Sequence, residues 1–469
     1  MLFFIIKMNI QSLLSNIINT SQTFDVSGLS LNSQALNKGD LFVALQGEKN
    51  HGADYIENAI ENGCIAALTE GKDLDCKVPT IRVDNLKQHL STLAQNFYTK
   101  AKEVDLIAVT GTNGKTSVSH YISQLLDHLK IDNGVIGTLG ISKVQKKSIN
   151  TTPDIFSIYS TLNEYREQGV NVAIIEASSH ALIQGRLEGL SFSQGIFTNL
   201  TQDHLDYHET MDNYRKAKAK LFQDGFSKKA IINRDDSNHQ YFLDTSSDKE
   251  PITFGIGDLD FFKQSDNGFI CQLNKYVFEL PLVGEFNLSN TIAAYTSIKS
   301  LGLSDDQIIP CLAKLSSPPG RMQKLENTNI WIDYAHTPDA LDNALSTLRS
   351  HYPEFKIRVI FGCGGDRDNS KRQLMGKIAS ENADSIILTN DNPRGEDPQA
   401  IINDILAGTK VENDVQVMLD RRDAINSAIQ NLGEEEALLI AGKGHETTQI
   451  IGSEIHQFSD IEVALNALI

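Results

Sequence analysis

The stretch that decides the fold is VTGTNGKTS, which runs from Val109 to Ser117. It follows the apolar run Leu106–Val109 and precedes SVSHYISQLLDHL, a pattern typical of a helix. Strand, glycine-rich loop, Lys-Thr pair and helix in this order favour a phosphate-binding loop over a chance glycine-rich turn. Backbone N–H groups at the helix start cradle phosphate oxygens, Lys115 neutralises charge, and Thr116 can bind Mg²⁺. The general pattern has Gly where Val109 stands.

Apolar runs on the carboxyl side of this loop predict parallel strands. NVAIIEASS, GIFTNL and KAIINRDD each end in polar residues, as expected of strands covered on both faces with chemistry at their carboxyl ends. Glu176 ends the first run, where a carboxylate could bind a metal or orient water. A strand-end Glu before Ser-Ser is also a frequent helix cap, and this alternative stays open.

A segment dense in Asp and His, NLTQDHLDYH (Asn199–His208), follows the second run. It lacks cysteines, so magnesium with one imidazole ligand fits it better than zinc. In the next helix, DNYRKAKAKLF, Lys216 and Lys220 fit a solvated face. Lys218 instead shares an apolar stripe with Tyr214 and Phe222. A buried ammonium is costly and tends to deprotonate, so Lys218 requires an explanation.

Further strand and helix patterns flank this central region. DLFVAL, CIAALT and TIRV precede it, followed by a predicted helix over Leu86–Ala101. The Pro-Pro-Gly sequence at Pro318–Gly320 marks a boundary. It is followed by four more apolar, strand-like runs, NIWIDYAH, KIRVIFGCGG, DSIILTND and ALLIAGKG. We therefore predict an α/β protein of three domains. These are a small α/β N-terminal domain (1–95), a central P-loop domain with a parallel sheet (96–317) and a Rossmann-like C-terminal domain (318–469).

Composition and net charge exclude several classes of function. The chain has 469 residues and a formal net charge of -18, so on average it repels nucleic acid and anionic membranes. The five scattered cysteines fit reduced thiols. No stretch approaches the ~20 apolar residues of a membrane span, and MLFFII (Met1–Ile6) is too short for a signal peptide, with Met8 a second possible start. We expect a cytoplasmic monomer without a nucleic-acid partner or membrane insertion.

Ten motifs then occur in order along nearly the whole chain after Met8. They are TGTNGKTS, EASSH, FTNLTQDHLDYH, YxxAKxxLF, GEFNLSN, GRM, DYAHTPDAL, FGCGGDRD, DNPRGEDP and AGKGHE. Together they resemble the Mur ligases, ATP-dependent amide-forming enzymes of peptidoglycan precursor synthesis. The resemblance implies phosphoryl transfer from ATP to the γ-carboxylate of a D-glutamyl residue. The amine of an incoming amino acid then attacks the acyl phosphate.

The resemblance also implies an ATP and Mg²⁺ site. Catalytic roles are implied for Lys115, Glu176, His204 and Lys218. Thr116 and Glu176 would bind one Mg²⁺ and His204 a second. The family lysine that matches Lys218 is carbamylated, which replaces a costly cation with oxygen ligands for magnesium. Arg321, Asp333 and His336 match positions from which the third domain closes over the nucleotide. The implied ATP contacts are Gly111, Thr112, Asn113, Gly114, Lys115, Thr116, Ser117, Asn287, Asn290, Arg321, Asp333 and His336.

Two further substrates are implied in the same way. For UDP-N-acetylmuramoyl-L-alanyl-D-glutamate the matching residues are Leu31, Ser33, Asn150, Thr151, Thr152, Ser178, Gln184 and Arg186. LNSQ departs from the family's LDSR at Gln34, which removes a cation near the nucleotide. For meso-diaminopimelate the matching residues are Arg367, Asp391, Asn392, Pro393, Arg394, Gly442 and Glu446.

Amino-acid specificity is implied by DNPR, the motif of the diaminopimelate-adding members. Spacing alone favours an Asn-Pro turn with a solvated arginine, and the resemblance reverses that preference. A planar guanidinium at Arg394 can hold the distal carboxylate of diaminopimelate bidentately. A lysine-adding ligase is the alternative within the family, and a nucleotide-switched regulatory protein is the alternative outside it. Folylpolyglutamate synthases share the loop but lack the UDP-binding first domain.

Overall fold

The computed structural model describes residues 7–47, 50–71, 74–144, 150–410 and 414–469. They form two compact units, Met1–Phe254 and Gly255–Ile469. The segment Met1–Ile6, on which the choice of start site depends, lies outside the described residues. The α/β class with parallel sheets is confirmed, because three separate mainly parallel sheets follow one another along the chain. The domain limits at 95 and 317 stay a prediction.

The N-terminal sheet has four parallel strands in chain order, Leu29–Ser30, Leu41–Ala44, Ala66–Thr69 and Thr80–Arg82. Its alternating side chains enter two cores, since Leu41 and Val43 pack in one apolar cluster and Phe42 in another. The short strands Met8–Asn9 and Asp25–Val26 pair antiparallel beside it. Its α-helices are Ile10–Leu13, Ile56–Glu61 and Leu90–Phe97, and its 3₁₀ turns are Gly52–Tyr55, Leu86–His89 and Thr99–Glu103.

The continuous helix predicted over Leu86–Ala101 is wrong. The chain leaves helical geometry at Tyr98, with φ −100° and ψ 64°. Phe97 and Tyr98 are adjacent, yet both are buried in the same core. Side chains that follow one another in a helix point about 100° apart, so a break in the helix lets both rings reach this core.

The central sheet places the glycine-rich loop at its middle. Its spatial order is Ile252–Phe254, Ser227–Asn233, Phe192–Phe197, Asp105–Thr110, Val172–Glu176, Asn133–Gly137 and Gly140–Ile141, with all neighbours parallel except the last pair. Glu176 pairs in register with Val109, so it stands level with the start of the loop, as predicted. Helical segments are Lys115–His128, Ile155–Glu167, Ser179–Gln184, Leu205–His208, Met211–Ala219, Lys220–Phe222 and His239–Thr245.

The second unit begins with a small antiparallel sheet. Its strands are Phe261–Ser265, Gly268–Leu273 and Tyr276–Leu280. A 3₁₀ turn precedes them at Ile256–Asp258, and the helices Glu285–Ser300 and Asp305–Leu312 follow. The longer helix buries polar as well as apolar side chains, among them Asn287 and Asn290. Burial of amides on a helix requires hydrogen-bond partners within the protein or on a ligand.

The C-terminal sheet orders its strands as Gln323–Lys324, Ile330–Asp333, Glu436–Ala441, Lys356–Phe361, Ser385–Leu388 and Asp414–Val417. All neighbours are parallel except the first pair. Both faces are covered, since Val359 and Leu439 join one apolar cluster while Ile360 and Ile440 join another. The helices are Pro338–His351, Ser370–Asn382, Pro398–Leu406, Arg421–Gln430 and Asp460–Ala467, and a hairpin pairs Thr448–Ile451 with Glu454–Gln457.

Parallel order brings the carboxyl ends of these strands to one edge. The loops after Phe361, Leu388 and Ala441 therefore open on the same side. These loops contain GGDRD, DNPR and GKGHE. Within the described residues, no helix combines the length and apolar character that a membrane crossing needs.

Candidate active site

The glycine-rich loop adopts a conformation that its glycines make possible. Gly114 caps the helix Lys115–His128 with φ +85°, and Gly111 has φ +154°. A side chain at Gly111 would overlap the hydroxyl of Thr198. The loop therefore needs glycine for both backbone freedom and space. Its backbone N–H groups lie at a helix start, which favours anions.

Residues after the neighbouring strand Phe192–Phe197 hold this loop in shape. The backbone N–H of Thr112 donates to the Asn199 carbonyl (2.9 Å), and that of Asn113 donates to Asn199 Oδ1 (2.9 Å). The Thr198 hydroxyl donates to the Asn113 carbonyl at 2.6 Å. Thr198 and Asn199, the first residue of the Asp- and His-rich segment, thus support the loop, a role that the sequence did not reveal.

Two lysine ammonium groups converge on one backbone oxygen of the loop. Lys115 Nζ and Lys218 Nζ donate to the Gly111 carbonyl at 2.8 and 2.7 Å. Lys218 is 1% exposed, and its ammonium lies 4.3 Å from the Tyr214 ring centre. Burial, helped by Lys115, lowers the pKa of Lys218 well below its ordinary value. The predicted burial of this lysine is confirmed.

Glu176 is fully buried and bonded from two sides. Its Oε2 accepts from the hydroxyls of Thr116 (3.0 Å) and Thr138 (2.9 Å), and its Oε1 accepts from the Thr138 N–H (3.0 Å). The helix-cap alternative for Glu176 is wrong, because Ser178 caps the following helix through Ala181 N. Thr138 was not predicted as a site residue, because the strand that precedes it becomes a neighbour of Val172–Glu176 only in the folded sheet.

The oxygen atoms of Thr116 and Glu176 fit a hard cation. Within the described residues, no three His, Cys, Asp or Glu side chains converge closely enough to hold a metal by themselves. Mg²⁺ is commonly bound by one or two protein oxygens, with water and phosphate oxygens as its other ligands. A hydroxyl and a carboxylate 3.0 Å apart at a phosphate-binding loop match that requirement.

His204 belongs to a cluster of aromatic and imidazole rings. Its ring lies 4.9 Å from that of His180 and 6.0 Å from that of Tyr214, which also packs on Lys218. Burial lowers the pKa of His204, and it lowers the pKa of His180 to about 4 with help from His204 and His208. Neutral imidazoles can serve as metal ligands. His180, the last residue of EASSH, was not predicted as a site residue.

Four of the predicted muramoyl-peptide residues are linked by hydrogen bonds. Thr152 Oγ1 lies 3.1 Å from Ser178 Oγ, and the Thr152 carbonyl accepts from the Arg186 guanidinium at 2.7 Å. Arg186 also donates to Gln184 Oε1 at 2.9 Å. Thr151 joins through Thr138 at 3.2 Å. This group therefore continues directly from the surroundings of Glu176.

The remaining residues predicted for this substrate lie apart from that group. Asn150 is exposed, just before Thr151. Leu31 and Ser33 follow a strand of the N-terminal sheet, where the Ser33 carbonyl accepts from Asn62 Nδ2 at 3.0 Å. Across the described residues no hydrogen bond joins Leu31 or Ser33 to Thr152, Ser178, Gln184 or Arg186.

The nucleotide residues predicted after position 254 form two groups in the second unit. Asn290 donates to Asn287 Oδ1 at 3.3 Å, one turn along the same helix. Arg321 stacks on Tyr334 at 4.6 Å, and burial raises the pKa of Asp333 while Arg321 opposes that rise. His336 follows on the same loop, with its ring 4.6 Å from that of Tyr334. Tyr334 links these residues and was not predicted.

The predicted amino-acid residues meet at the carboxyl edge of the C-terminal sheet. Arg394, with φ +51°, donates to the Gly365 carbonyl at 2.8 Å, and a side chain at Gly364 would contact both Arg394 and Arg367. A side chain at Gly442 would lie 2.7 Å from Asp391 Oδ2. Asn392 donates to Glu446 Oε2 at 3.1 Å. Pro393, which lies between Asn392 and Arg394 in the chain, is buried.

Family models match the chain in three successive stretches. A model described as "Mur ligase family, catalytic domain" matches residues 25–98, "Mur ligase middle domain" matches 109–298, and "Mur ligase, glutamate ligase domain" matches 320–444. The matched ranges follow the order of the N-terminal, central and C-terminal sheets.

Curated relatives resemble the chain over nearly its whole length. The UDP-N-acetylmuramoyl-L-alanyl-D-glutamate--2,6-diaminopimelate ligase of Synechocystis sp. is 39% identical over 468 residues, which are 95% of this chain and 92% of the relative. The enzyme of the same name from Coxiella burnetii is 39% identical over 477 residues, with coverage of 96% and 97%.

Solved structures also resemble the chain. A structure of a UDP-N-acetylmuramoyl-L-alanyl-D-glutamate--2,6-diaminopimelate ligase is 32% identical, with a TM-score of 0.68 and coverage of 98% of this chain and 99% of that chain. A Mycobacterium tuberculosis folylpolyglutamate synthase, 20% identical, shares the fold with a TM-score of 0.60. It matches 76% of this chain against 92% of its own length.

Proposed function

The chain belongs to the Mur ligase family, and we propose that it joins meso-2,6-diaminopimelate to UDP-N-acetylmuramoyl-L-alanyl-D-glutamate with conversion of ATP to ADP and phosphate. The observation that carries the proposal is the convergence of Arg394, Asn392 and Glu446 at the edge of the C-terminal sheet. The near full-length similarity to diaminopimelate ligases supports it. The enzyme acts as a cytoplasmic monomer on its nucleotide-linked precursor. Its three domains have limits near residues 95 and 317.

The phosphate side of the reaction uses the glycine-rich loop. Loop N–H groups and Lys115 bind the triphosphate, and the Lys115 ammonium exchanges its carbonyl partners for phosphate oxygens. Thr116 and Glu176 would hold one Mg²⁺, and His204 with a carbamate on Lys218 would hold a second. Ions held there would supply positive charge to offset the negative charge that phosphoryl transfer develops. The polar chain of Thr152, Ser178, Gln184 and Arg186 binds the muramoyl dipeptide, the phosphoryl acceptor, beside Glu176.

The surroundings of Lys218 support its proposed carbamylation. Burial favours the neutral amine, which is the form that attacks the carbon of CO₂. The new N–C bond forms with loss of one proton, and the product is a carbamate anion. An anion there would offset the charge of Lys115, which shares the Gly111 carbonyl with Lys218.

Amide formation proceeds in two steps. A γ-carboxylate oxygen of D-glutamate attacks the γ-phosphorus of ATP, and the bond to the ADP oxygen breaks. The neutral amine of diaminopimelate then attacks the acyl carbon, phosphate leaves with the bonding electrons, and the amine proton is released. Lys115 and the loop N–H groups stabilise the negative charge of the transferring phosphoryl group. Nucleotide-binding roles are also proposed for five residues of the second unit, Asn287, Asn290, Arg321, Asp333 and His336.

On the amino-acid side, Arg394 and Arg367 bind the two carboxylates of diaminopimelate. Gly442 and Glu446 receive its distal amino end. Asp391 belongs to the same site, and Pro393 fixes the turn that presents Arg394. An analogue without the distal carboxylate would leave the Arg394 guanidinium unpaired, a mismatch that costs binding.

The test is phosphate release from ATP in the presence of the nucleotide-sugar dipeptide. We expect release to depend on diaminopimelate and the product to have the mass of the diaminopimelate adduct. Equal use of lysine would contradict the assigned amino acid while leaving the ligase reaction intact. Slow hydrolysis that ignores both amino acid and dipeptide would support a nucleotide switch instead.

A further inference from the structure

Lys443 is a buried cation that no step above uses. It follows the strand Glu436–Ala441 in the GKGHE loop and has no exposed surface. A buried ammonium is tolerated when it is paired and hydrogen-bonded, because its desolvation is otherwise uncompensated. Its partners are two of the residues assigned to the amino-acid substrate.

The three side chains form a closed hydrogen-bonded triangle. Lys443 Nζ donates to Glu446 Oε2 at 2.9 Å and to Asn392 Oδ1 at 3.1 Å, and Asn392 Nδ2 donates to the same Glu446 oxygen at 3.1 Å. The Ile450 N–H gives Asn392 Oδ1 a second donor at 2.9 Å. Two donors on one amide oxygen fix which end of the amide is which.

The triangle leaves one acceptor and one donor for a ligand. In the described part of the chain, no donor meets Oε1 of Glu446, whose side chain is 32% exposed. One N–H of Asn392 remains after the bond to Glu446. A carboxylate oxygen beside an amide N–H complements an ammonium and a carboxylate on the same carbon. The distal carbon of diaminopimelate carries that pair.

The net charge of the three side chains also favours diaminopimelate. Lys443 and Glu446 together are neutral, as is the zwitterionic distal end of diaminopimelate. The distal end of lysine carries an ammonium without a carboxylate. It would bind better to a Glu446 carboxylate whose charge no neighbouring cation neutralises. The ammonium of Lys443 therefore favours diaminopimelate over lysine through the two residues it holds.

We propose that Lys443 is a positioning residue that determines amino-acid specificity by fixing Asn392 and Glu446. This inference rests on the proposed function, since it names the residue behind that selectivity. The test replaces the ammonium with a side chain of similar length in Lys443→Met. Loss of one partner of a buried charged pair should raise KM for diaminopimelate by about 100-fold. We expect kcat/KM for lysine to stay level or rise, with KM for ATP and the nucleotide sugar unchanged.

The matched control is Lys324→Met in the same unit. Lys324 also donates to an asparagine oxygen, that of Asn267 (3.3 Å), but it lies on the first strand at the sheet's edge. This variant should keep the native KM for diaminopimelate. Lys443→Gln serves if Lys443→Met fails to fold, because its amide can still donate to one partner while the charge is gone. It should show the same loss of discrimination.

The proposed function and the proposed role of Lys443 would fail on different results. Native enzyme without diaminopimelate-dependent phosphate release would refute the proposed function and the role of Lys443 with it. Native activity combined with an unchanged diaminopimelate-to-lysine ratio in both Lys443 variants would refute the role of Lys443 alone. A parallel rise of KM for all three substrates would also overturn it, because that pattern indicates general damage.

Discussion

The region around Gly111, for which we propose phosphate binding, and the region around Arg394, for which we propose amino-acid binding, handle charge in different ways. In the first, Lys115 and Lys218 donate to one backbone carbonyl, and within the described residues Lys218 forms no salt bridge with a carboxylate. In the second, buried cations are matched by carboxylates. Lys443 pairs with Glu446, Arg421 with Asp460 and Arg372 with Glu396.

This difference shows what each region still needs. A cation buried without a carboxylate is stable when a ligand or a covalent modification supplies the negative charge. A region whose charges are already paired is pre-organised, and it discriminates between ligands by the few polar atoms left open. We therefore expect substitutions in the first region to affect reaction rate and those in the second to affect specificity.

The largest effect is expected for Lys218→Ala. Loss of the proposed carbamate would remove an anionic group from the phosphate-binding region, so ligation should fall by about a thousandfold or more. A short carboxylic acid added to the solution should partly restore turnover. Lys216→Ala is the control, because Lys216 is exposed on the same helix and pairs with Asp212. Intact mass of the active native enzyme without an added CO₂ group would contradict the modification.

A smaller effect, confined to specificity, is expected for Arg394→Ala. The native enzyme should prefer diaminopimelate to lysine by about 10⁴-fold. Removal of the guanidinium should lower kcat/KM for diaminopimelate by about 100-fold and leave that for lysine nearly constant. Competition between the two amino acids, read by product mass, measures the ratio. Arg349→Ala, which breaks the Arg349–Asp384 pair elsewhere in the unit, should leave the ratio unchanged. A ratio that survives Arg394→Ala would place the selectivity elsewhere.

Arg321→Ala should lower kcat by about tenfold, the value of one charge-assisted hydrogen bond. Arg321 packs on Tyr334, and its Nε has no hydrogen-bond partner within the described residues. Its loss should lower the melting temperature only modestly, through the lost contact with Tyr334 and the lost charge beside Asp333. Steady-state kinetics with a thermal melt on the same sample decides between a nucleotide contact and a structural role. Native turnover in the variant would exclude the nucleotide contact.

The smallest effect is a change in the pH dependence of stability. Burial and Arg321 lower the pKa of His445 to about 4 from its ordinary value of 6.5. Between these pH values the unfolded chain binds more protons, so the stability that His445 contributes is complete above pH 6.5 and is lost as the pH falls toward 4. His445→Gln should reduce the loss by about 1 kcal/mol, allowing for solvent screening.

Urea unfolding of both proteins at neutral and acidic pH measures this difference. The other histidines contribute equally to native enzyme and variant, so the comparison isolates His445. Identical slopes of unfolding free energy against pH would show that the His445 ring does not titrate differently on folding.

Much of the fold was predictable because its signals are local. Apolar runs with polar ends predicted the central and C-terminal parallel strands, and the loop from Gly111 to Ser117 predicted the helix that follows it. Helical spacing alone placed Lys218 on a buried stripe, and its side chain is indeed 1% exposed. The break at Tyr98 was missed, because the packing of two aromatic rings into one core decides it.

The sequence by itself determined the residue types and the elements that carry them. It determined the Lys-Thr pair at a helix start, a carboxylate at a strand end, and an arginine after a third-domain strand. Tertiary structure decided which of these groups meet. Thr138 reaches Glu176, and Lys443 reaches Asn392, through strand order and register. Periodicity reports which face of an element is buried, whereas hydrogen-bond partners depend on neighbours that lie tens of residues away in the chain.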